Sequence, residues 1–70
     1  MRVTHSSHAA ENMSGRRVSF GEVQQTLDSR DRIQPSYRDR DLYIAQIAGR
    51  DITVVLTREA LPTVVTVFVD

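Results

Sequence analysis

Apolar positions along this chain follow two rhythms. From His8 to Leu27 they recur at helical spacing; from Leu42 to Val69 they alternate or run together as strands do. In the first stretch Ser6 or Ser7 can cap a helix in which Ala9 and Met13, four apart, share the core face. His8, Asn12 and Arg16 form a second, polar stripe on it. Gly15 weakens or ends that helix. Ser19-Phe20-Gly21-Glu22 then has the spacing of a capping box, with Val18 and Val23 placed as a hydrophobic staple. Phe20, Val23 and Leu27 would form the buried stripe of the second helix.

The second stretch predicts strands over Leu42–Ala48, Asp51–Thr57 and Thr63–Val69. Gly49-Arg50 fits a two-residue hairpin turn with glycine first, the II′ arrangement. Ile52, Val54 and Leu56 share one face, with Thr53, Val55 and Thr57 on the other. In the last strand Val65, Val67 and Val69 are expected to face the helices, with Val64, Thr66 and Phe68 opposite, or the reverse. Two segments are less determined. Met1–His5 either pairs as an edge strand or frays, and Arg32-Ile33-Gln34 can form an edge strand because Pro35 forbids a central one. The resulting fold class is α+β: two N-terminal helices packed on one face of a three- to four-stranded antiparallel sheet. Residues 1–70 make one domain. The uncovered sheet face keeps valine and phenylalanine, which marks Val64, Thr66 and Phe68 as a candidate interface for a homodimer or partner.

Composition narrows the possibilities. With no cysteine there is no disulfide or thiolate metal site. His5-x-x-His8-x-x-Glu11 lacks a fourth ligand, so no metal is assigned, and no phosphate-cradling or dinucleotide motif points to a cofactor. No apolar run is long enough for a membrane helix, and the polar N-terminus has no signal-peptide core. A cytoplasmic location is the default expectation. Nine arginines balance nine acids, without a lysine. Residues 1–40 carry seven arginines against five acids, and residues 41–70 two against four, a split of +2 and −2. Such a dipole can steer a ligand, but it is a faint nucleic-acid footprint.

One resemblance spans nearly the whole chain. His8-Ala9, Met13, Arg16, Val18-Ser19, Val23, Leu27 and the closing Val65-Thr66-Val67-Phe68 resemble small bacterial domains that open H-A-x-x-R-M-x-x-R-G-I-S and close V-T-V-[FY]. Those domains sit in the RelE/ParE toxin superfamily, near BrnT-type ribonuclease toxins. Two positions depart from the pattern. Asn12 stands where the motif has its first arginine, and Arg17 where it has glycine. A left-handed corner at Arg17 would cost ~1–2 kcal/mol, so the helix is expected to end at Ser14-Gly15 with the corner rebuilt.

The resemblance implies a RelE-like toxin-type RNA endonuclease of a toxin–antitoxin pair, held in check by an antitoxin. Cleavage at a ribose 2′-hydroxyl needs cations for the phosphorane and a proton donor or acceptor. The motif points to His8 and Arg16 alone as catalytic; Arg17, Tyr37 and Arg38 are assigned as RNA contacts by their chemistry, and His5, Tyr43 and Arg58 are further chemically suitable groups. For Arg16, pairing with Glu11, Asp28 or a helix C-terminus competes with phosphate binding. The alternative is a non-catalytic module of the same fold that binds protein, as a homodimer or with a partner, of the kind carried by a phage or mobile element. A nucleic-acid regulator without cleavage is the third reading. Neutral charge weighs against the first and third; the loss of an arginine at Asn12 favours the second.

Overall fold

The computed structural model covers residues 1–70. Its elements are β1 (Thr4–His5), α1 (Ser7–Arg16), α2 (Phe20–Asp28), β2 (Arg32–Ser36), β3 (Arg40–Ile47), β4 (Arg50–Thr57) and β5 (Thr63–Val69). The strands form one sheet in the order β1-β5-β4-β3-β2. β2 through β5 are an antiparallel meander, while β1 lies parallel to β5 with Thr4 opposite Thr63 and His5 opposite Val64. The expected three- to four-stranded antiparallel sheet is therefore corrected to a five-stranded mixed one. The added strand is the N-terminal lead-in, and the adjoining Ser6 holds it in place. Ser6 donates its N–H to the Val64 carbonyl and its hydroxyl to that of Val65, and the same hydroxyl accepts from Ala9 as the N-cap of α1. A two-residue strand too short to persist alone is thus pinned by a helix cap.

α1 packs over β5 and α2 over β3 and β4, all on one face. Between them lies a single apolar core that includes Ala9, Met13, Val18, Val23, Leu27, Ile52, Val54, Leu56, Val64 and Val67. No helix is long and apolar enough to cross a membrane.

The corner between the helices differs from expectation. α1 runs through Gly15, and Arg17 takes the left-handed conformation at φ 55°. The Val18 N–H donates to the Met13 carbonyl and the Arg17 N–H to that of Ser14, the paired bonds of a Schellman ending. Met13 and Val18 are both buried, which supplies the hydrophobic contact that accompanies this motif. That contact and the two bonds outweigh the strain at Arg17, so the corner is kept and not rebuilt. Arg50, at the start of β4, closes it from outside. Its guanidinium donates to the Arg16 and Arg17 carbonyls, each at 3.2 Å, and to Glu22 Oε2 at 2.8 Å. One cation thus satisfies the negative end of α1 and pairs with the acid in the first turn of α2.

The capping box is formed as the spacing predicts, with both reciprocal bonds between Ser19 and Glu22 present. The buried stripe of α2 is different: it is Val23, Thr26 and Leu27, while Phe20 is 58% exposed. Val18, drawn in by the corner, occupies the core ahead of the helix, and Phe20 overhangs it, stacked edge-on against the His5 ring at 4.8 Å. Thr26 is tolerated in the core because its hydroxyl donates to the Glu22 carbonyl.

Two further details of the sheet are corrected. The β3–β4 turn is Ala48-Gly49, with Ile47 opposite Arg50 and both turn residues at positive φ (52° and 80°). That is the I′ arrangement, whose twist matches the strands, in place of the II′ turn at Gly49-Arg50. In β5 a bulge shifts the register: Val55 faces Thr66, but Leu56 faces Val64. Val65 is the extra residue, so alternation breaks there. Val64 and Val67 both enter the core, and only Thr66 and Phe68 remain on the uncovered face.

Candidate functional site

The uncovered face is built by cross-strand rows, because residues opposite one another in adjacent strands share a face. One row is Gln34, Leu42, Val55 and Thr66; the next is Arg32, Ile44, Thr53 and Phe68. A third brings Ser36 and Arg40 beside Thr57. Where these rows meet the β2–β3 turn, a groove of about 260 Å³ opens, lined by Ser36, Tyr37, Arg40, Leu42, Val55, Thr66 and Phe68. Its floor is aliphatic. Tyr37 (77% exposed) and Phe68 (47% exposed) present rings to solvent beside it.

The turn that bounds the groove is conformationally costly. Arg38 and Asp39 both sit in the left-handed region, at φ 60° and 55°, without a glycine. The Arg38 guanidinium lies 5.9 Å from the Tyr37 ring. Asp39 leans to Arg58 at 4.0 Å, and Arg58 holds Asp41 through Nε and Nη2 at 3.2 and 2.9 Å. That contact with Arg58 keeps the Asp41 carboxyl below the usual carboxylate range. Arg40 is not among the chain's ion pairs, although its side chain lines the groove.

The residues expected from sequence scatter over the molecule. Tyr37 borders the groove, and Arg38 adjoins it in the same turn; Thr66 and Phe68 are also there. Val64 is not: it is fully buried in the core, and the bulge at Val65 is the reason. His8 and Arg16 are solvent-exposed near opposite ends of α1, about 12 Å apart along its axis at the usual rise per residue. Arg17 is exposed, and what it contributes to the corner is its backbone. Asn12 is half-buried and accepts a hydrogen bond from the Thr66 hydroxyl at the edge of β5. The polar stripe of α1 is thus split, its middle member tied to the sheet. Of the other suitable groups, Tyr43 is packed against the core with Arg30 above its ring at 5.6 Å, and Arg58 is committed to Asp41. His5 Nε2 is buried without a hydrogen-bond partner, and burial lowers the pKa of the ring.

Sequence reasoning missed Arg40, Leu42 and Ser36 as groove residues. The signal was present in the alternation of Arg40, Leu42 and Ile44, which places them on one face once Val55 is put opposite the helices. No family model, curated protein or solved structure matches this chain.

Proposed function

We propose that this protein is a non-catalytic interaction module that docks a protein partner on its uncovered sheet face. The observation that carries this reading is the groove beside Tyr37 and Phe68: two exposed rings, an aliphatic floor of Leu42 and Val55, and a guanidinium outside any ion pair, all at one place. Aromatic and arginine side chains around a desolvated centre are the usual energetic core of protein interfaces. The alternative, a RelE-like RNA endonuclease working through His8 and Arg16, would need a phosphate held between groups that the helix keeps at its two ends.

A random-peptide display selection against the immobilised protein tests the reading, with Phe68→Asp as the counter-screen. Selected peptides should bind the wild type and fail on the variant, which keeps its fold because Phe68 lies outside the core. Growth arrest on induction, relieved by His8→Ala or Arg16→Ala in a protein that stays folded, would overturn it in favour of the nuclease.

A further inference from the structure

We infer that the groove receives an acidic, amphipathic segment of a partner protein, with an apolar side chain seated on Leu42, Val55 and Phe68 and a carboxylate on Arg40. This inference rests on the docking reading of the same face and adds the chemistry of the occupant.

Size sets the first limit. At about 260 Å³ the groove lies below the ~300–1,000 Å³ typical of sites that enclose a small molecule. It is open along the sheet and takes one or two side chains of a longer segment. β2 is the edge of the sheet that leads into the turn beside the groove. Pro35 in that strand has no N–H to donate, which blunts the edge against an added strand. A partner at the groove therefore lies across the face and does not extend the sheet at β2.

Charge decides the kind of partner. Arg40 lines the groove, Arg32 shares a row with Ile44, and Arg38 sits in the adjoining turn. Of the acids at this end of the face, Asp39 lies 4.0 Å from Arg58, and the Glu59 carboxylate accepts from the Thr57 hydroxyl, opposite Arg40 in the register. At the far end of the same face the register adds Asp51, opposite Gln46, with Asp70 bonded beside it through its backbone N–H. A second copy docked about a two-fold axis through the groove would set guanidinium against guanidinium. An RNA strand would have to lay its phosphates along the aliphatic floor of Leu42 and Val55, on a chain whose net charge is zero. A segment that interleaves leucine or phenylalanine with glutamate or aspartate matches both the floor and its rim. Arginine accepts a carboxylate through two parallel bonds, which fixes its orientation as well as its sign.

Fluorescence anisotropy with three labelled peptides tests this. They share leucine and phenylalanine anchors but carry glutamate, glutamine or lysine between them. The glutamate peptide should bind about tenfold more tightly than the glutamine peptide, a difference of about 1.4 kcal/mol, and the lysine peptide should bind most weakly. Arg40→Glu should invert that order, and circular dichroism should show the fold unchanged. If glutamine and glutamate peptides bind alike, lose binding on Phe68→Asp and ignore Arg40→Glu, the acidic partner is refuted while the docking face stands. If no peptide responds to Phe68→Asp, the docking reading falls as well. Displacement of the glutamate peptide by a single-stranded oligouridylate that itself depends on Arg40 would overturn the inference in favour of RNA. A dimer in sedimentation that Phe68→Asp dissolves, and that excludes all three peptides, would overturn it in favour of a second copy.

Discussion

Replacing Arg17 with glycine should stabilise this protein, against the usual sign of a glycine substitution. The residue sits at φ 55°, ψ 47°, where a side chain's Cβ crowds the following carbonyl. Relief of that crowding is worth ~1–2 kcal/mol. The added freedom of glycine in the unfolded chain opposes it by about 0.4–1 kcal/mol. The backbone bonds at the corner use the Arg17 N–H and carbonyl, which glycine retains. The net gain is therefore roughly 0.5–1 kcal/mol. For a chain of 70 residues the unfolding entropy near the midpoint is about 150 cal/mol/K, so Tm should rise by roughly 3–7 °C. Thermal melts monitored by circular dichroism, with urea titrations beside them, measure this directly. Arg17→Ala separates backbone from side chain: it keeps the strain, removes the guanidinium and should leave Tm nearly unchanged. Arg17→Val should lower it, because a β-branched residue is less tolerant of positive φ. If glycine and alanine shift Tm equally, the effect comes from the lost side chain and the strained corner is refuted.

Two other predictions test the sheet and the buried histidine. Val64→Asp should abolish folding, since an unpaired charge in the core costs about 3–5 kcal/mol, whereas Phe68→Asp should fold normally; equal tolerance at both would mean that β5 lacks the bulge at Val65. Burial holds the His5 imidazole below its ordinary pKa of 6.5, so the unfolded chain takes up the proton more readily than the folded one. Stability should then be flat above pH 6.5 and fall as pH drops from there through the lowered folded value. The depressed carboxyls of Glu22, Asp28 and Asp41 act in a separate window, below 4.5 for the first and 3.8 for the others. Urea midpoints across the mildly acidic range should decline for the wild type and level out in His5→Asn; parallel curves would remove His5 as the source.

What is legible in the sequence is whatever depends on near neighbours. The capping box at Ser19 and Glu22, the burial of Val18 and Val23 on either side of it, and the span of β5 all come from short spacings. What escapes depends on residues far apart. Nothing near Thr4 announces its partner Thr63, and Arg50 gives no local sign that it closes a corner at residues 16 and 17. Period-two alternation cannot reveal a bulge, so it puts Val64 on the wrong face by a rule that breaks at Val65. Phe20 fits the helical period but stands one turn too early, where the core ends. The groove is half legible: Phe68 and Tyr37 stand out as large rings, while Arg40 looks like one more charge in an alternating run.

The pairing of β1 with β5 fixes the order in which this chain can mature. A ribosome makes Ser7–Asp28 before Thr63–Val69. The helix α1 buries Ala9 and Met13 against partners that include Val64 and Val67. Until those valines emerge, its apolar side has no counterpart and α1 can be no more than a nascent, marginal helix. The meander from β2 to β5 assembles through contacts close in sequence, and the N-terminal segment docks onto it by closing a loop of nearly the full chain. Folding of this domain thus becomes possible only once β5 has been made, and β5 is the strand that brings β1 into register.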